Sequence, residues 1–241
     1  MIEALISQKS EFFPDNHMTP VQTPEKRSSV SEAKDLENSK EMLSSSSKSI
    51  KTSTSKLSFI DLLRDFKVLP TEVTRTLFKK ILEEVSALHL NEIYHGDLCL
   101  ENIYIDQEYN TSLSEKVHVS DSFLDGVCVD LICLGEILFA LCFGSLPYVS
   151  LEDERYLAIL NGDWELFWAL NEEELDISRW GPNLAKSGVK ALISTLLAGQ
   201  SSSKYDMSEL LAHEWMKGTT LTLGQVKGLL DEARKKMKKI I

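Results

Sequence analysis

The stretch His95-Gly96-Asp97-Leu98-Cys99-Leu100-Glu101-Asn102 lies between a helix-patterned run and a strand-patterned run, and its reading decides the fold. Upstream, Val73, Leu77, Phe78, Ile81, Leu82, Val85 and Leu88 recur at a spacing close to 3.6, the stripe of an amphipathic helix that runs into His89 and ends before Ile93-Tyr94. Downstream, Ile103-Tyr104-Ile105, a polar turn around Asp106 to Ser114 and Val117-His118-Val119 read as a short two-stranded ribbon. Asp121 follows the second strand directly. Asp97, Asn102 and Asp121 are thus oxygen-bearing side chains on loops, the type a hard cation requires. As a plain alternative, Asp97 and Asn102 serve as hydrogen-bonding residues that organise the turn.

The chain of 241 residues, 43% hydrophobic, can bury one core of roughly 100 to 200 residues with tails left over. Its net charge of −11 is unevenly spread. Residues 1 to 56 hold eight acidic and eight basic groups, residues 57 to 221 hold 27 and 12, and residues 222 to 241 hold two and six. An acidic folded part argues against a nucleic-acid partner, because neutralising phosphates needs a Lys/Arg-rich face. Cys99, Cys128, Cys133 and Cys142 form no C-x-x-C pair and have no His at metal-ligand spacing, so a reducing, cytoplasmic setting is expected, with a nuclear one as the alternative. The N-terminus reaches Gln8, Lys9 and Ser10 before an apolar run of signal-peptide length accumulates, and no secretion is expected. The most apolar stretch, Val127 to Phe143, is shorter than the ~20 residues a bilayer requires and contains Asp130 and Glu136, so it reads as a buried helix and not a membrane span.

Residues 1 to 56, with 13 Ser and no period of 2 or 3.6, are expected to be a disordered tail. Thr19-Pro20 and Thr23-Pro24 in it suit a proline-directed kinase, or are chance pairs. From Lys56 the character changes. Leu57, Phe59, Ile60, Leu62 and Leu63 predict a first helix, Pro70 breaks it, and Thr71 looks like the cap of the second. Val129 to Phe143 predicts a central helix ended by Gly144, and further helices are expected over Asp153 to Leu160, Asp163 to Leu170, Ala185 to Leu197 and Ser208 to Trp215. Trp164, Phe167 and Trp168 read as packing residues in preference to docking anchors. Over residues 218 to 241, Thr222 and Gln225 stand in capping-box spacing, Val226, Leu229, Leu230, Ala233, Met237 and Ile240 share one face, and Lys227, Arg234, Lys235, Lys236, Lys238 and Lys239 lie largely elsewhere. Such a basic amphipathic helix binds calmodulin, an anionic membrane, or the chain's own acidic domain, and the last is preferred.

The order of these elements over residues 57 to 217 resembles the C-terminal lobe of the eukaryotic protein kinase family. The opening stretch is similar to the family's His-Arg-Asp-Leu-Lys-Pro-Glu-Asn loop at His95, Asp97, Leu98, Glu101 and Asn102. Val129-Asp130-Leu131-Ile132-Cys133-Leu134-Gly135 resembles the start of its central helix, Gly144-Ser145-Leu146-Pro147-Tyr148 its Gly-x-x-Pro-Phe end, and Leu210-Leu211-Ala212-His213-Glu214-Trp215 its Leu-Leu-x-His-Pro-Trp. The run Tyr156 to Trp168 is similar to calcium/calmodulin-dependent-type Ser/Thr kinases, particularly those of protists. The resemblance implies that Asp97 accepts the proton of a substrate hydroxyl and that Asn102 and Asp121 hold the Mg²⁺ ions that bridge the phosphates of ATP.

Departures from the family are as informative. The first glycine is Gly96, so no glycine-rich loop precedes the catalytic loop, nothing upstream resembles the Val-Ala-Ile-Lys strand, and the N-terminal lobe is expected to be absent. Cys99 replaces the Lys facing the transferred phosphate, a loss worth on the order of 3 kcal/mol in such sites. Tyr104 stands where Leu usually meets the adenine ring, Asp121-Ser122-Phe123 replaces Asp-Phe-Gly, and only Ser122 to Val129 separate Asp121 from Asp130, where the family has a few tens of residues ending in Ala-Pro-Glu. Gly96 for the activation-loop-gripping Arg, and Lys204 for the Arg that pairs with the missing Glu, fit that deletion. The expected fold is therefore mainly α, a kinase-like C-terminal lobe with a small β-ribbon at the catalytic loop. Its expected role is that of a pseudokinase acting as a binding or regulatory module, with a protein partner or a second copy covering the face left by the missing lobe. The alternatives are an ATP-dependent Ser/Thr protein kinase whose N-terminal lobe is supplied elsewhere, and a small-molecule kinase of the aminoglycoside or choline type, which shares the His-Gly-Asp-Leu-x-x-x-Asn loop.

Overall fold

A computed structural model describes residues 56–115, 117, 123–175, 188–199 and 207–237. The expected tail, apart from Lys56, and with it Asp121, Lys204 and the strand residues His118 and Val119, lie outside the described residues. Strand β1 (Leu57–Ser58) leads into helix α1 (Phe59–Phe66), whose capping box has Ser58 accepting from the Asp61 amide and the Asp61 carboxylate accepting from Ser58. Helix α2 (Thr71–His89) follows. Its N-cap is Pro70, with no side-chain cap, so Thr71 is the first helical residue and not the cap expected of it. The stripe behaves as read: Val73, Leu77, Phe78, Ile81, Leu82 and Val85 are all fully buried.

Strands β2 (Ile103–Ile105) and β3 (Thr111–Leu113) complete an antiparallel sheet in the order β1-β2-β3. The partner of β2 is therefore not Val117-His118-Val119, as the alternation suggested, but lies inside the expected turn. The turn is only Asp106 to Asn110, because the Asp106 carboxylate accepts from the Glu108 and Asn110 amides and from the Asn110 side chain, and Tyr109 adopts a positive φ of 61°. Glu84 of α2 then fixes β3, accepting from the Thr111 hydroxyl and from the Leu113 amide at 3.1 Å.

Helix α3 (Phe123–Phe143) is the core of the lobe. Its window Gly126–Phe143 is apolar and long enough to cross a membrane by composition, yet 67% of it is buried in the fold, which makes it a central helix. It begins at Phe123 where Val129 was expected, so the helix contains most of the stretch after Asp121. At Gly126 it passes so close to Tyr94 that a Cβ would sit 2.3 Å from the ring. Helices α4 (Glu154–Leu160) and α5 (Trp164–Glu174) are capped by Asp153 and Asp163, and α5 runs four residues past the expected Leu170. Phe167 is fully buried and Trp168 stacks on Phe139 at 6.0 Å, so these aromatics are packing residues.

Helix α6 (Val189–Leu197) packs on α3, and the last expected helix divides into α7 (Met207–Leu211) and a 3₁₀ turn (Glu214–Lys217). The division falls at His213, whose Nδ1 accepts the Trp215 amide at 3.2 Å. Arg75 of α2 anchors the turn from within, donating to the carbonyls of Trp215 at 2.7 Å and Thr219 at 2.8 Å. Helix α8 (Leu223–Met237) opens on the Thr222/Gln225 capping box. Val226 and Leu230 are buried against the lobe, whereas Leu229, placed on the same face by the sequence, is exposed. Arg234 donates to Asp65 at 2.9 Å and lies over Phe66, and Lys227 reaches the Gln107 carbonyl at 2.9 Å.

Candidate active-site loop

The loop of residues 95 to 102 is organised by a buried carboxylate. Asp130, on α3 and fully enclosed, accepts the His95 amide on one oxygen and the Gly96 amide on the other, each at 2.8 Å. His89 Nε2, at the end of α2, lies 2.9 Å from the first of these oxygens. In the sequence Asp130 stood as a motif match and as a charge against a membrane span; its signal as the loop's anchor was a carboxylate inside an otherwise apolar run, which survives burial only when fully hydrogen-bonded. Gly96 has φ +72°, the left-handed region that disfavours a side chain, so the residue replacing Arg also sets the direction of the chain.

His95 is itself fully buried. Its Nδ1 accepts the Asp97 amide at 3.2 Å, which leaves the proton on Nε2, 3.1 Å from the hydroxyl of Ser114 beyond β3. The loop thereby holds both ends of the ribbon's entry, a role that Ser114 gave no sign of in sequence. Leu98, Cys99 and Leu100 turn inward and are buried, and the Leu100 carbonyl accepts the Ile60 amide at 3.2 Å.

These anchors present Asp97 on the surface. Asn102 donates from one amide nitrogen to both the carboxylate and the backbone carbonyl of Asp97, each at 2.8 Å. The two sequence-selected residues are thus brought together, while Asp121, the third, lies outside the described residues. Asp97 carboxylate and Asn102 carbonyl oxygens are hard donors whose chemistry fits Mg²⁺. Cys99, at the position of the phosphate-facing Lys, is buried and carries no charge to the loop mouth. Beside the loop lies a cavity of about 30 Å³ lined by Ile60, Leu63, Leu100, Ile137 and Leu146 and by Glu101 and Glu136. Glu136 accepts the hydroxyl of Tyr148, whose ionisation burial pushes well above the ordinary tyrosine range.

Among proteins of known identity, the chain is 25% identical over 176 residues to the CBL-interacting protein kinase 31 of Oryza sativa subsp. japonica, which covers 62% of this chain and 36% of that protein. It is 26% identical over 174 residues to the serine/threonine-protein kinase chk1 of Schizosaccharomyces pombe, covering 62% and 33%. With the testis-specific serine/threonine-protein kinase 2 of Mus musculus it shares 25% over 189 residues, covering 65% and 49%. A crystal structure of the Rad53 kinase domain and SCD2 in complex with AMPPNP matches with a TM-score of 0.51 at 17% identity, covering 74% of this chain and 75% of that one. The described domain is protein-kinase-like. The kinase-like chain spans about a third to a half of the length of these curated relatives. No family model matches it. Within the kinase-like lobe the sheet beside the loop has three strands, and the apolar residues of β2 face inward, Ile103 and Ile105 being buried.

Proposed function

We propose that this kinase-like lobe acts as a pseudokinase, a binding or regulatory module. The observation that carries the reading is internal to the chain: α3 begins at Phe123, two residues after Asp121. A kinase uses the segment between the metal-binding Asp and the central helix to build its peptide-substrate platform, and here the helix itself contains most of that stretch. The buried Cys99 supports the same reading, because the charge that faces the transferring phosphate is missing as well. Asn102, with Asp121 by resemblance, would hold Mg²⁺, which when bound would neutralise the charge of a nucleotide's phosphates, and Asp97 would face a substrate hydroxyl. What the chain's own residues do is orient Asp97 through Asn102 and fix the loop through Asp130 and His95. A protein partner at the face beside β1 and the loop, or a second copy there, is the interaction this reading calls for. The helix α8 has Val226 and Leu230 engaged within the lobe, so calmodulin or another ligand of that helix would have to displace them.

The intact Asp97–Asn102 pair favours one second reading, an active Ser/Thr kinase whose nucleotide-binding lobe is supplied elsewhere. Incubation of the purified chain, alone and together with the separately produced nucleotide-binding lobe of a Ser/Thr kinase, with Mg²⁺, γ-labelled ATP and a basic protein mixture decides between them. Label transfer no greater than that of Asp97→Ala supports the pseudokinase; transfer abolished by Asp97→Ala and by Asn102→Ala refutes it.

A further inference from the structure

Five of the nine exposed large apolar side chains among the described residues, Val149, Leu151, Leu157, Leu160 and Leu166, fall between residues 149 and 166. The rest of the lobe buries its large apolar groups well, so this concentration marks a surface built to be covered. Helix α4 shows why these leucines are spare. Its inward side is made by buried Ala158, by Ile159 packed on the core and by Tyr156 against Tyr148 at 5.0 Å. Leu157 and Leu160, three residues apart on one outward face, are 45% and 63% exposed and add nothing to that packing. The loop that carries Val149 and Leu151 is folded onto the same helix, the Val149 amide donating to the capping carboxylate of Asp153 at 2.8 Å.

Charge selects the occupant. Residues 149 to 175 contain eight acidic groups and one basic group, Arg155, which is spent on Asp153 at 2.6 Å, while Lys190 of α6 pairs with Glu172 and leaves Glu152, Glu154, Asp163 and Glu165 to set the charge beside α4. Such a rim repels anionic lipid, acidic partners and the same face of a second copy. It attracts a cationic partner, and spare leucines one turn apart suit the apolar stripe of a helix. The chain's own basic helix α8 has its stripe occupied by Val226 and Leu230 in the lobe, so α8 as seated is not the occupant. We propose that the outward face of α4, with the loop before it and the start of α5, docks a basic amphipathic helix of a partner protein, its apolar side chains on Leu157 and Leu160 and its Lys or Arg groups over Glu152, Glu154, Asp163 and Glu165. This stands whether or not Asp97 transfers phosphate.

The test uses the full chain and a fluorescent eighteen-residue peptide of Leu and Lys at helical spacing, with a Leu/Glu peptide of the same pattern as the charge control. Anisotropy is expected to show binding of the Leu/Lys peptide alone, and hydrogen exchange to show new protection within residues 149 to 166. The double variant Leu157→Ser, Leu160→Ser, which keeps every charge and changes only exposed positions, is expected to bind at least ~10-fold more weakly with an unaltered melting temperature. Glu154→Gln with Glu165→Gln is expected to weaken binding and flatten its salt dependence. Equal binding by the double Ser variant, protection elsewhere on the lobe, or no binding by the native chain overturns the proposal.

Discussion

Replacing Asp130 by Ala should cost more stability than any other single change to the loop. The carboxylate is completely enclosed and satisfies two backbone amides, His95 and Gly96 at 2.8 Å, besides its contact with His89 at 2.9 Å. Removing it strands those donors, at ~1–3 kcal/mol for each buried group left without a partner. Taking one member from a buried charged network costs roughly 3–5 kcal/mol, and the two estimates agree. In a domain of this size each kcal/mol moves the melting temperature by ~2–4 °C, so a drop of about 6 to 20 °C is expected by calorimetry. Asp130→Asn should fall between the native chain and Ala, because one amide oxygen still accepts while the NH₂ confronts a second donor. Hydrogen exchange adds a local readout: the His95 and Gly96 amides should lose protection before those of α2 do. A melting temperature lowered by less than 2 °C in Asp130→Ala, with the loop amides still protected, would refute the claim that this carboxylate organises the loop.

Docking of α8 should depend on its apolar side chains far more than on its charges. Burial of Leu230 contributes about 1.5–3 kcal/mol, whereas a surface pair such as Arg234–Asp65 contributes about 0–1. Leu230→Ala is therefore expected to release residues 223 to 237 to rapid hydrogen exchange, and Arg234→Ala to leave them protected in 0.5 M salt; the reverse order would contradict the structure. Gly126→Ala forces a Cβ to within 2.3 Å of the Tyr94 ring and should destabilise by about 1–3 kcal/mol in denaturant titration, an unchanged midpoint being the refuting result. Burial lowers the pKa of His213 below its ordinary 6.5, and its Nδ1 must stay unprotonated to cap the 3₁₀ turn. The folded state thus binds fewer protons than the unfolded one, so stability is full above about pH 6.5 and falls as the pH drops below it. In His213→Asn, which keeps an acceptor, that part of the pH dependence should vanish in thermal melts taken from pH 7.5 to 5.

Period carried much of the fold in the sequence. The stripe from Val73 to Val85 and the all-round apolar run before Phe143 specified α2 and α3 because burial acts on spacing, and spacing is visible in one dimension. The ribbon was misread because alternation at Val117 to Val119 outweighed the Asx turn of Asp106, whose hydrogen bonds close the loop four residues after it begins. Of the site, Asp97 and Asn102 were legible because they lie five residues apart in one loop. Asp130, His89 and Ser114, which hold that loop, come from positions up to 35 residues distant from it, and only the packed structure brings them to it.

The seating of α8 also sets an order of events in synthesis. Arg234 meets Asp65 across 169 residues of chain, and Lys227 meets Glu108 across 119. Closing loops of that length adds little to the equilibrium cost, since the entropy grows only with the logarithm of length. Time is the greater demand. At about 5–20 residues per second, α1 waits on the order of 10–30 s on the ribosome before the helix that shields Phe66 is made. Until then the nascent lobe presents that flank to whatever is nearby, and a chaperone that holds α1 during this interval would determine how much of the newly made protein reaches its finished form.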